Sequence, residues 1–163
     1  MAKFDEEHIP EILERYKTVA VVGISDKPDR DSYRVAEYLK QSGYNILPVN
    51  PTFDQWLGIK AYRDLSSIPR DVRVDIVDVF RKPDAAMQVV EEALKLKPAV
   101  IWLQEGVVNP EAAELAKSHG IQVVMDSRGR IAGPQQCPLR IPAQAKRVWP
   151  GTSVPQQLLL IIL

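Results

Sequence analysis

Thr18-Val19-Ala20-Val21-Val22-Gly23-Ile24 is a near-continuous apolar run, and it constrains the fold more than any other stretch of the chain. A half-exposed strand alternates apolar and polar residues, whereas a strand covered on both faces has no need to. The run therefore predicts a central strand of a parallel sheet. Parallel neighbours cannot be joined by tight turns, so helical crossovers of a dozen or so residues must separate the strands.

The rest of the sequence supplies that alternation. Ile9, Ile12, Leu13 and Tyr16 fall on one face of a short helix, with Pro10 in its first turn, where a missing N–H costs nothing. Tyr33–Gln41 reads as a helix with Val35, Ala36 and Leu39 inward, closed by Gly43. Asn45–Val49 is a short strand, and Pro48 requires that its pairing end there or that it lie at a sheet edge. Val74–Phe80 is a strand, Pro83–Leu96 a helix and Ala99–Leu103 another strand. Asn109-Pro110-Glu111 opens a helix, with Asn as the cap, Pro in the first position and Glu at the positive end of the dipole. Gly120 closes that helix, and Ile121–Met125 is the last clear strand. This order predicts a three-layer α/β domain, Rossmann-like and doubly wound around a parallel sheet.

Residues 1–126 are expected to form that domain. Ser127–Pro155 carries five prolines and no defensible period, so residues 127–163 read as a Pro-rich extension, partly coil or disordered. Its last six residues, Leu158–Leu163, are all aliphatic. They are either a disordered tail or a segment that docks on the domain or on a partner.

Charge and cysteine content narrow the function classes. Lys plus Arg and Asp plus Glu number 21 each, so no global field attracts nucleic acid or an anionic membrane. An anion must be held by local geometry. The single cysteine, Cys137, excludes an internal disulfide framework and a cysteine-based zinc site, and no metal site is expected. The acidic N-terminus does not read as a signal peptide, and no run approaches the ~20 apolar residues of a membrane span. A cytoplasmic location is the expectation.

Ligands of open α/β sheets lie beyond the carboxyl ends of the strands, where the strand order reverses. The loops at those ends supply Gly, Ser, Asn, Arg and helix N-termini, which hold phosphate and hydroxyl oxygens. They supply no concentration of His, Cys or carboxylate, so no catalytic residue is expected. A dinucleotide fold would demand G-x-G-x-x-G after the first strand and an acid at the end of the second. Here Gly23 is followed by Ile24-Ser25, and the second strand ends in Asn50. Both halves of that fingerprint fail.

Val21-Val22-Gly23-Ile24-Ser25-Asp26-Lys27-Pro28 with Ser32-Tyr33-Arg34-Val35 resembles the opening of the small, stand-alone CoA-binding domain proteins. Pro48-Val49-Asn50-Pro51, Val77–Arg81, Ile101–Val107 and Val123–Asp126 resemble the remaining motifs of that family, in order. Any single motif is weak, but five in sequence, each at a strand end, are specific. The fold is similar to that of the CoA-binding domain of succinyl-CoA synthetase. The resemblance implies coenzyme A or acyl-CoA as ligand and no catalysis, in a carrier, sensor or regulatory role. After Asp126 the chain departs from the family, which usually continues Arg-Cys. Here Ser127-Arg128-Gly129-Arg130 follows, and Cys137 stands farther on.

The candidate ligand-binding residues are Gly23, Ile24, Ser25, Lys27, Arg30, Arg34, Asn50, Pro51, Phe80, Arg81, Gln104, Gly106 and Asn109. Gly23 and Ser25 are expected to offer backbone N–H groups and a hydroxyl to a pyrophosphate. Among the cations Arg34 stands out, being on the first helical turn; Lys27 and Arg30 read equally as solvated loop charges. Asn50-Pro51 faces the adenosine or is a plain turn, and Phe80 flanks the adenine or is core. Gln104 and Gly106 are expected along the pantetheine arm. Asn109 caps a helix whose dipole points at the cleft. Trp102 reads as core, and His8 and His119 as surface residues. Asp75 and Asp78 form no acid–base pair. Two other classes stay open: a nucleotide-dependent oxidoreductase or acyl-CoA-transforming subunit, and a structural subunit without ligand. A homodimer or an unidentified protein partner is also open.

Overall fold

The computed structural model describes Ile12, residues 14–104 and residues 106–125. The proline-rich extension, the aliphatic end, His8 and Cys137 lie outside the described residues. Seven strands are described: β1 (Thr18–Val22), β2 (Asn45–Val49), β3 (Gln55–Trp56), β4 (Ile59–Lys60), β5 (Ile76–Val79), β6 (Val100–Leu103) and β7 (Gln122–Met125). The helices are α1 (Asp31–Gln41), α2 (Pro83–Leu96) and α3 (Pro110–Ser118). Five strands form one all-parallel sheet in the order β2-β1-β5-β6-β7, and β3 and β4 pair as a separate antiparallel hairpin.

Three layers follow from where the side chains go. One face of the sheet, with Ala20, Val22, Val77, Val79, Ile101 and Leu103, packs against Ala86, Val90 and Ala93 of α2 and Ala112 and Ala116 of α3. The other face, with Val19, Val21, Ile46, Ile76 and Trp102, packs against Tyr33, Val35, Ala36 and Leu39 of α1, and Ile12 joins this cluster. β1 lies in mid-sheet with Val19, Ala20, Val21 and Val22 all buried, as a strand covered on both faces must. The expected strands are all present, with frayed ends trimmed: Val74–Phe80 shortens to Ile76–Val79, and Tyr33–Gln41 begins two residues earlier.

Pro48 is accommodated because β2 is the edge strand. Its C=O faces outward and accepts from Tyr62 N at 2.8 Å, and Asn50 N donates to Tyr62 O at 2.9 Å. In a parallel strand a residue's N–H and C=O share a side, so the donor that proline lacks would also face outward, away from β1. The pairing with β1 loses nothing. The β3–β4 hairpin and the 3₁₀ turn Leu65–Ser67 were not anticipated. Leu57 and Gly58 form the hairpin tip at φ 46° and 76°, and Leu57 is the one exposed large apolar residue among the described residues.

At the amino end of the sheet, Asp75 ties β1 to β5. Its carboxylate accepts from Lys17 N at 3.3 Å and Thr18 N at 3.2 Å, and Arg73 Nε approaches it at 2.7 Å. Asp75→Ala strands two backbone donors, so a loss of about 1–3 kcal/mol in urea-unfolding free energy is expected. Stability equal to the wild type would show that water replaces the carboxylate without cost.

Candidate functional site

The chain leaves β1 to form β2 on one side and later returns to form β5 on the other. The strand order therefore reverses between β1 and β5, and a cleft must open at their carboxyl ends. Such a cleft is present, with a volume of about 650 Å³. That falls within the roughly 300–1,000 Å³ of small-molecule sites.

Gly23 makes the closure of the sheet at this point possible. It sits at φ +83°, and a Cβ placed on it would stand 2.3 Å from the carbonyl oxygen of Phe80 and 3.2 Å from Cδ of Arg81. Only a residue without a side chain allows the end of β5 to pass so close to the end of β1. Its N–H donates to Val49 O at 2.9 Å, so three adjacent strand ends converge on one residue.

The loop that follows is held from several directions. Asn50 Nδ2 donates to Ile24 O at 2.7 Å, while Asn50 Oδ1 accepts from Thr52 N and Thr52 Oγ at 2.9 and 2.8 Å. An acid at position 50 would set a carboxylate oxygen against the Ile24 carbonyl; the position requires a donor. Ser25 N donates to Ser32 Oγ at 3.1 Å, which ties the loop to the first turn of α1. Ser25 Oγ accepts from Lys27 N at 3.1 Å, and Ser25 O accepts from the indole Nε1 of Trp56 at 3.1 Å. Gly23 and Ser25 were expected to offer backbone N–H groups and a hydroxyl; both N–H groups bond within the protein, and the Ser25 hydroxyl proton is not committed by the bond it accepts.

Of the candidate residues, the structure brings Gly23, Ile24, Ser25, Arg30, Asn50, Phe80, Arg81, Gln104 and Gly106 together around the cleft. Lys27, Arg34, Pro51 and Asn109 are not among its lining. Arg34 Nη2 donates to Asp29 O at 2.7 Å, which fastens the loop rather than reaching the cleft. Asn109 is used on both sides: Oδ1 caps α3 at Ala112 N, and Nδ2 donates to Pro83 O. Phe80 is half-buried, packed against the α1-side core while also lining the cleft, so its two readings are not exclusive. Trp102 is core, as expected.

Asp26, Asp31, Ser32, Thr52, Phe53, Lys82, Pro83 and Val107 also line the cleft, and sequence reasoning did not single them out. Among the described residues of the lining, Arg30, Arg81 and Lys82 outnumber Asp26 and Asp31, a positive excess suited to an anion. Among the described residues there is no cluster of His, Cys, Asp or Glu able to hold a metal ion, and no helix long and apolar enough to cross a membrane.

Beneath the cleft, Asp78 is buried in the middle of β5, between Val21 and Trp102. Its Oδ1 accepts from Gln104 Nε2 at 2.8 Å. Burial pushes its carboxyl up from 3.8 to about 7, and the hydrogen bonds from Gln104 and from the Val79 backbone draw it only partly back. The interrupted apolar run Ile76-Val77-Asp78-Val79 is the signal that could have found it.

Residues 17–128 match the family described as CoA binding domain. This chain belongs to that family. An uncharacterized protein of Bacillus subtilis, YneT, is 48% identical over 124 residues, covering 76% of this chain and 90% of its own length. A hypothetical protein from Pyrococcus horikoshii superimposes with a TM-score of 0.71 at 41% identity, over 74% of this chain and 84% of that one. The ADP-forming acetate–CoA ligase II of Archaeoglobus fulgidus is 32% identical over an alignment of 129 residues that covers 71% of this chain and 19% of the ligase. The fold and the family expected from the sequence are those found.

Two outcomes follow from this geometry. Gly23→Ala forces a side chain onto the Phe80 carbonyl and is expected to cost about 2 kcal/mol or more in urea unfolding; a neutral substitution would mean that β5 moves freely. The Asp78 carboxyl binds its proton more tightly folded than unfolded. Its contribution is therefore complete below about pH 4 and is lost as pH rises through about 7. The stability of Asp78→Asn should accordingly fall less between pH 4 and 8 than that of the wild type, and parallel curves would contradict the assignment.

Proposed function

We propose that this chain binds coenzyme A or an acyl-CoA in the cleft between the carboxyl ends of β1 and β5, with the diphosphate lying on the loop Gly23–Asp26, and that it performs no chemistry on the ligand. The observation that carries this reading is the convergence of Arg30, Arg81 and Lys82 with a rigidly fastened, side-chain-free turn at the switch point of a parallel sheet. Arg81 fits the role of phosphate partner because its stem passes beside Gly23. Membership in the CoA binding domain family supports the choice of ligand. The cleft wall contributed by Gln104, Gly106 and Val107 suits the pantetheine arm, which is amide-rich and otherwise apolar. Among the described residues, none lining the cleft is a histidine or a cysteine, and the buried Asp78 reaches the cleft through Gln104. A carrier, sensor or regulatory role fits such a site.

A second reading has one observation in its favour. The region shared with the ADP-forming acetate–CoA ligase is a fifth of that enzyme, so this chain is equivalent to one domain of a larger acyl-CoA-forming machine. It would then act as the CoA-holding part of a complex whose chemistry resides in another subunit. Acyl-CoA turnover appearing only on addition of a partner would favour this reading over the first.

Calorimetric titration with CoA separates the roles of the cations. Arg81→Ala should weaken binding roughly tenfold, the scale of one charge-assisted hydrogen bond. Arg34→Ala should change it by no more than about twofold, because its guanidinium is committed to Asp29 O. Absence of any binding heat or thermal shift with the wild type and millimolar CoA would overturn the proposal.

A further inference from the structure

We infer that Trp56, on the hairpin that the sequence did not reveal, is a positioning residue that aims one backbone N–H of the β1 loop at an anionic ligand. The inference rests on the reading of the cleft as a diphosphate site. Trp56 is almost wholly buried, yet its indole is not simply core. Its Nε1 donates to Ser25 O at 3.1 Å, across 31 residues of sequence. Tyr33 of α1 meets its ring edge-on, with centroids 5.4 Å apart and planes at 68°, so the indole is locked between hairpin and helix.

The consequence lies in the peptide that Trp56 grips. In a trans peptide the C=O and N–H point in opposite directions. Ser25 O and Asp26 N–H belong to the same peptide plane, so fixing the oxygen on Trp56 turns the Asp26 N–H away from the hairpin. The neighbouring donors are already used: Gly23 N on Val49 O, Ser25 N on Ser32 Oγ and Lys27 N on Ser25 Oγ. Ile24 is completely buried. Asp26 is exposed and lines the cleft, and its N–H has no acceptor among the described residues. Of the backbone donors from Gly23 to Lys27, it is the one left for a ligand oxygen. The preceding peptide is fixed by Asn50 at Ile24 O, so two successive planes are set before any ligand arrives. Pre-set donors lose less entropy on binding than a loop that must order itself.

The decisive variant keeps the ring and removes only the N–H: Trp56 replaced by benzothienylalanine, with Trp56→Phe as the genetically encoded counterpart. Each is titrated with CoA by calorimetry, and the Asp26 amide is followed in ¹H–¹⁵N spectra. In the wild type the Asp26 amide proton should move downfield on CoA addition. In both variants that shift should shrink and CoA should bind about five- to tenfold more weakly, the effect of one mispositioned hydrogen bond. Variants that bind CoA as tightly as the wild type overturn the inference and leave the CoA reading standing. So does an Asp26 amide that stays still while CoA binds, a result the wild type alone can deliver if a variant unfolds. A wild type that binds no CoA overturns both.

Discussion

The close passage of β5 over Gly23 is the constraint on which the rest of the site depends. A side chain at this position would collide with the Phe80 carbonyl, so the end of β5 could not settle against the end of β1. With glycine there, Phe80 N reaches Val22 O at 2.8 Å and Gly23 N reaches Val49 O at 2.9 Å, and three strand ends close at one level. The cleft is what remains above that closure. It is lined by the loop through Asp26 and by Phe80, Arg81 and Lys82.

The sheet was legible because its signal is physical and local. An apolar run buried on both faces admits few other placements, and the caps Asn109, Pro83 and Pro110 mark their helices at the residue level. The hairpin β3–β4 was not legible, since two residues per strand show no period. Its turn places Leu57 at positive φ, where Asn is the usual residue, so Gly58 alone carried the turn signal. Pro48 was legible as an edge marker and proved to be one, because its missing donor faces outward to Tyr62.

For the site, the loops at strand ends meet around one cleft, and the bonds made inside it differ from those read off residue type. Asn50 looked like the absence of a dinucleotide acid, and its amide is a donor that pins Ile24 O. Ser25 looked like a phosphate ligand; its N–H donates to Ser32 Oγ and its O accepts from Trp56, while its hydroxyl, which accepts from Lys27 N, keeps its own proton to donate. Arg34 looked better placed than Arg30 because it lies a turn into the helix, yet its side chain folds back to Asp29 O. Such differences arise because residue type reports what a group can bond, while the fold decides which partner reaches it first. Thr52, Phe53 and Trp56 come from a connection with no periodic pattern, so nothing in the sequence directed attention to them.

The proposal places the diphosphate of coenzyme A at the β1–β5 switch point, on a loop held rigid beforehand. A crystal structure of the protein grown with CoA tests it most directly. The diphosphate should lie within hydrogen-bond distance of Asp26 N and the Arg81 guanidinium, the pantetheine arm should pass Gln104, and the loop from Gly23 to Lys27 should stay unmoved. CoA ordered elsewhere on the surface, or bound here only after Trp56 and Asn50 release the loop, would contradict it.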